Sequence, residues 1–95
     1  MAFTTNTGQG TSALLNASVD TQVKTGGSRL VAVSVITAGS VPGAVHDSDA
    51  IADADATNQI GVIPNTAGIY LFDWPCLKGI TYKVGTGQVV AIKFS

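Results

Sequence analysis

Apolar and polar residues alternate along this chain with a period of two, and no stretch of useful length carries a helical period. From Val19 to Lys24, the residues Val19, Thr21 and Val23 take one face and Asp20, Gln22 and Lys24 the other, as in a strand with one wet face. Ile80-Thr81-Tyr82-Lys83-Val84 alternates again, and Val89-Val90-Ala91-Ile92-Lys93-Phe94 closes the chain. Turn formers separate these runs: Gly26-Gly27, which offers the positive φ angles of a tight hairpin, then Pro64-Asn65-Thr66-Ala67-Gly68, then Gly85-Thr86-Gly87. Ser28 to Thr37 is the longest run, with Val31, Val33 and Val35 on one side and Leu30, Ala32 and Ile36 on the other. Apolar residues on both sides predict a central strand, or a strand whose outer face a partner covers.

The pattern therefore predicts an all-β fold, an antiparallel β-sandwich of about eight short strands. They fall near residues 12–17, 19–25, 28–37, 43–46, 59–63, 68–73, 79–84 and 88–94, with Ile36, Val62, Leu71, Val84 and Ile92 in the core. Residues 1–11 are rich in Thr, Asn, Gln and Gly and read as a flexible N-terminal arm, frayed or ordered on a neighbour with Phe3 as its anchor. Residues 12–95 then form a single β-sandwich domain. Asp47 to Ala56 breaks the strand character and links two β-halves. Its alanines allow one helical turn, capped by Asp47 or Ser48.

Composition sharpens this picture. The 95 residues are 45% hydrophobic but 12% charged, with no Glu, and that charged share is about half the usual one. Either uncharged polar residues coat the surface or neighbours cover much of it, and assembly is the expectation. A net charge of −1 and five scattered basic residues give no electrostatic footprint for nucleic acid. The charge-free stretch from Leu30 to His46 is broken by Gly39, Pro42 and Gly43 and is too short for a membrane span. The N-terminus lacks a basic start and an apolar block. Cys76 is the only cysteine, which excludes an intrachain disulfide and points to synthesis in a cytoplasm.

Few residues offer chemistry. Asp47, Asp49 and Asp53 resemble the start of a calcium loop, but the glycine and the last acidic ligand of such a loop are missing, so Asp47, Asp49, Asp53 and Asp55 are not expected to form a metal site. His46 beside Asp47 lacks the constellation of a triad. Cys76 reads as a small buried hydrophobe, and the Gly-x-Gly segments lack the lysine and helix of a phosphate loop. No catalytic residue and no cofactor are predicted. Tyr70, Phe72 and Trp74 share one strand face; the first two suit the core, and Trp74, at the strand end before Pro75, suits an exposed contact or a sugar-stacking platform.

Several stretches resemble small phage and prophage virion proteins of the β-sandwich type, either head decoration (cement) proteins or fibre-associated modules. They are Ser28-Arg29-Leu30-Val31-Ala32-Val33, Asn58-Gln59-Ile60-Gly61-Val62-Ile63-Pro64, Trp74-Pro75-Cys76 with Gly79-Ile80, and Gly85-Thr86-Gly87-Gln88-Val89. The resemblance spans roughly residues 28–94. It implies a jelly-roll-like sandwich on a virion, made in the host cytoplasm, commonly a trimer or a symmetric array. The implied partners are the major capsid protein or another virion protein, with Phe3 and Trp74 as candidate interface residues. The expected role is capsid decoration; the alternative is a tail- or fibre-associated module that binds a receptor or glycan.

Overall fold

The structure, a computed structural model, describes residues 12–95 and the backbone of residues 3–6. Among the described residues, nine strands follow in chain order: β1 (Phe3–Asn6), β2 (Ser12–Ala17), β3 (Thr21–Thr25), β4 (Ser28–Thr37), β5 (Gly43–His46), β6 (Gln59–Ile63), β7 (Gly68–Cys76), β8 (Gly79–Lys83) and β9 (Val89–Phe94). They form two antiparallel sheets, ordered β1-β2-β9-β4-β7 and β3-β8-β5-β6. With β1 set aside, four strands remain in each sheet. The chain passes from sheet to sheet in the order of a jelly roll: the first and eighth strands lie side by side, as do the second and seventh. The all-β sandwich expected from the alternation is the fold observed.

Most strand boundaries agree with the sequence pattern to within two residues. β7 is longer than expected and runs on through Asp73-Trp74-Pro75 to Cys76. Of the expected N-terminal arm, residues 1, 2 and 7–11 lie outside the described residues, while Phe3–Asn6 pairs antiparallel with β2. The side chain of Phe3 also lies outside what is described. The linking stretch contains one 3-10 turn, Ile51–Asp53. Its cap is Ala50 rather than Asp47 or Ser48, because the Ser48 hydroxyl is occupied with the Ala50 backbone, donating to its carbonyl at 2.6 Å and accepting from its N–H at 3.2 Å.

Gly26-Gly27 does not close a hairpin. β3 pairs with β8, whereas β4 lies between β9 and β7 in the other sheet, so this turn carries the chain across the sandwich. Gly26 takes φ 93° there, and its N–H donates to the Lys78 carbonyl at 2.7 Å. A second glycine is dictated by close approach: a Cβ on Gly85 would overlap the Val41 carbonyl oxygen.

The core lies between the sheets. Leu30, Val33 and Val35 of β4 and Val90, Ile92 and Phe94 of β9 meet Val45, Ile63, Ile80 and Tyr82 of the opposite sheet. Fully burying an aliphatic side chain of this size is worth about 1.5–3 kcal/mol, so this cluster dominates the stability of a chain with no disulfide. Of the five expected core residues, Ile92 is buried and Val84 is half-buried against the cluster, but Ile36, Val62 and Leu71 are exposed. A bulge explains the error in β4. Pairing with β9 steps from Leu30↔Phe94 to Ala32↔Lys93, leaving Val31 as an extra residue. The inward phase then passes from Leu30 to Val33 and Val35, and Ile36 turns out. Leu71 stands opposite Ala32 and shares its outward face, while Tyr70 stands opposite buried Val33 and leans inward. Val62 is exposed on the edge strand β6, next to buried Ile63.

Candidate interaction surface

The outer face of the five-stranded sheet is built from the residues that alternate with the core. β4 contributes Val31, Ala32, Ser34 and Ile36, β9 contributes Ala91 and Lys93, and β7 contributes Ile69 and Leu71. Ile36 is 57%, Ile69 73% and Leu71 82% exposed. A shallow groove of about 320 Å³ runs over the small residues Ala32, Ser34 and Ala91, walled by Ile69 and Leu71. Among the described residues, Lys93 is the one charge bordering it. Scattered exposed aliphatics are ordinary, but a contiguous apolar sheet face is not. Sequence reasoning assigned Leu71 and Ile36 to the core and so missed this surface. The signal was present in the two-sided apolar pattern of Ser28 to Thr37.

At the far end of β7 the sheet edge is shaped by a second irregularity. The register with β4 shifts between Leu30↔Trp74 and Ala32↔Leu71, and Asp73 takes φ 48°, a left-handed conformation that Asp tolerates better than most residues. Arg29 holds that bulge through Nη1, which donates to the Asp73 carbonyl at 3.0 Å and to its carboxylate at 2.8 Å. Trp74, on the same face of β7 as Tyr70 and Phe72, lines a cleft of about 320 Å³ whose walls include Asp47, Asn58, Ile60 and Leu77. Trp74 is 52% exposed. Tyr70 and Phe72 pack against the core, and the Tyr70 hydroxyl donates to the Thr66 carbonyl at 2.7 Å.

The acidic stretch is organised around the backbone. The Asp47 carboxylate accepts from the N–H groups of Lys78 (2.8 Å), Leu77 (3.0 Å) and Gly79 (3.3 Å), fastening the β7–β8 turn. Partial burial pushes its pKa up, but those three amides and the nearby Lys78 charge outweigh it and hold the carboxyl below its ordinary value. Asp55 is lowered chiefly by the Thr57 hydroxyl and the Thr57 N–H. Asn58 Oδ1 accepts from the Asp55 N–H at 3.0 Å, and Asn58 Nδ2 donates to the Asp53 carbonyl at 2.8 Å. Among the described residues, no three His, Cys, Asp or Glu side chains stand close enough to hold a metal ion.

His46 is buried beneath this loop. Its Nδ1 lies 2.9 Å from the Asp55 carbonyl and 3.0 Å from Asn58 Oδ1. Both are acceptors, so Nδ1 carries a proton and donates. Ser48, also buried, spends its hydroxyl on Ala50, so His46 and Ser48 do not form a base–nucleophile pair. Cys76 is buried, and its thiol is pushed up by desolvation and by the Asp47 charge, which makes it inert. The arrangement offers two surfaces for contact, an apolar sheet face and a cleft beside Trp74.

Among the described residues, no helix is long and apolar enough to cross a membrane. No family model matches the chain, no curated protein matches it in sequence, and no solved structure matches it.

Proposed function

We propose that this chain is a non-enzymatic structural protein of a phage particle, a decoration protein that binds the outside of the assembled head and stabilises it. The observation that carries the proposal is the apolar outer face of the five-stranded sheet, with Ile69 and Leu71 exposed along a groove floored by small residues and Ile36 exposed on the same face. Surfaces of that kind work by being covered. The jelly-roll topology adds support, since two-sheet jelly rolls recur in viral capsid proteins, although fold alone does not assign function. The polar side chains that could do chemistry, Asp47, Ser48 and Asn58, are occupied in holding loops. The partner is the major capsid protein or another virion protein, bound in many symmetric copies, where neighbouring contacts reinforce one another. No cofactor, nucleic acid or membrane enters the mechanism.

The test compares particles carrying the full chain, the chain lacking residues 1–11, an Ile36→Asp variant and no copy at all. Heads are expected to assemble in every case. Those without the protein, or with Ile36→Asp, should burst at lower temperature or on dilution into low salt. Finding the chain at the tail tip alone, or finding bare heads equally robust, would overturn the proposal.

A second reading has its own observation. Trp74 presents half of its surface at the mouth of a cleft whose mixed walls carry Asp47, Asn58 and Lys78 beside Ile60 and Leu77, a geometry in which an indole can stack on a sugar ring. A tail- or fibre-associated module binding a receptor glycan would use it. Loss of saccharide binding in a folded Trp74→Ala variant would select that role over decoration.

A further inference from the structure

We infer that two copies of this chain join edge to edge through β7, so that their five-stranded sheets run on as one. β7 is the end strand of its sheet, with β4 on one side and an open row of backbone groups on the other. Sheets protect such edges with lysine, proline, bulges or shortness. In β7 those guards are confined to the second half, where Asp73 bulges and Pro75 follows. The first half, Gly68-Ile69-Tyr70-Leu71-Phe72, is uncharged and rich in β-formers, with Ile69 and Leu71 projecting into solvent. Of the other open edges, β3 carries Lys24 and a register shift, and β6 is interrupted by an extra residue at Ile60 in its pairing with β5. An unguarded apolar edge of this kind pairs with another strand.

The occupant is a second copy because the segment is complementary to itself. Five residues are free to pair before the bulge, and antiparallel pairing that uses all five centres on Tyr70. Ile69 then stands opposite Leu71 of the second copy on the outer face, twice over, which joins apolar to apolar. Gly68 stands opposite Phe72, where the small residue leaves room for the ring. The nearest charge, Asp73, falls opposite Ala67, and its carboxylate is already held by Arg29 at 2.8 Å. No like charges meet. A twofold contact needs such self-complementarity, residue by residue. The pairing would also double the apolar sheet face, but it stands apart from whatever that face docks on.

The experiment uses the purified full chain in solution, with no particle present. Light scattering and sedimentation across a concentration series should give twice the chain mass. Ile69→Lys and Leu71→Lys should each lose the dimer while keeping the far-UV spectrum, because both side chains are exposed in the single chain. Cysteine pairing fixes the register independently: mixed and oxidised Ile69→Cys and Leu71→Cys chains should form a covalent heterodimer, and Ile69→Cys alone should not. The buried Cys76 stays out of that reaction. A single-chain mass at every concentration, a dimer or closed ring indifferent to the lysines, or cross-linking of residue 69 to itself would overturn the inference.

Discussion

The Tyr82 hydroxyl donates a hydrogen bond to Gln88 Oε1 at 2.7 Å, inside the sandwich, where both side chains are buried. Gln88 Nε2 in turn donates to the Pro64 carbonyl at 3.0 Å. One side chain thus ties the end of β8, the start of β9 and the turn after β6. Gln88→Leu should leave the phenol O–H without its acceptor and that carbonyl without its amide donor, each costing about 1–3 kcal/mol. Tyr82→Phe, which leaves Gln88 its carbonyl, should cost less. Urea unfolding of both variants checks that order.

Burial pushes the Tyr82 phenol up to about 12. Its folded pKa thus exceeds the unfolded value of about 10. The protonated phenol's contribution to stability is therefore fully present below the unfolded pKa and lost as pH rises through the folded one. A spectrophotometric titration should show one tyrosine ionising near 12 in the folded chain, and stability should fall over that same alkaline window.

Acid should act through the carboxylates that the fold lowers, Asp55 through Thr57 and two others chiefly through backbone amides. Asp20 is lowered first by the Val84 N–H, from which it accepts at 2.9 Å; burial opposes this, and Lys83 tips the balance further down. Asp47 is lowered by the β7–β8 turn amides. Depressed folded values mean that the stabilisation is present above the unfolded pKa of about 3.9 and lost as pH falls through the folded ones. The melting temperature should therefore drop below about pH 4. Asp47→Asn, which cannot gain or lose that proton, should flatten the drop and lower the plateau at neutral pH.

Asn58 governs the loop over His46. It accepts from the Asp55 N–H and donates to the Asp53 carbonyl, and its Oδ1 lies 3.0 Å from His46 Nδ1. Asn58→Ala should destabilise the chain by about 1–3 kcal/mol, since a buried imidazole donor loses one of its two acceptors. Faster amide exchange confined to residues 47–58 would show that the loss is local rather than spread through the sandwich.

Strand identity was legible because alternation and turn residues are local properties of the chain, and the run from Ser28 to Thr37 announced its central place. Which face of a strand turns inward was harder to read. Period two shows that two faces differ only when one of them is polar, and in β4 and β7 both are apolar. The extra residue at Val31 then changed the phase within β4, whereas in β7 the inward residues Tyr70, Phe72 and Cys76 keep one parity on both sides of the bulge at Asp73. Crossing turns were illegible for a related reason: Gly26-Gly27 permits a positive φ whether the next strand returns to the same sheet or passes to the other. Trp74 is exposed as expected, but within the strand rather than at its end, since β7 runs past it to Cys76. The apolar outer face emerged only when Ile69, Leu71 and Ile36 were seen to share it.

That face makes the sharpest contrast in stability. Ile92 and Ile36 are the same residue type, in adjacent strands of one sheet, the first fully buried and the second 57% exposed. Ile92→Ala removes methyl and methylene groups that contact the opposite sheet and leaves a cavity, so it should cost about 2–5 kcal/mol. Ile36→Ala removes groups that already touch water, and its cost should stay within about 0.5 kcal/mol. Denaturant unfolding of the isolated chain measures both on one scale, with an unchanged slope showing that each variant unfolds from a like state. A large loss from Ile36→Ala in the isolated chain would place that residue in the core and remove it from the docking face. A small loss there, joined to weakened particle binding, would separate the two duties of this sheet: its inner face holds the fold, and its outer face holds the partner.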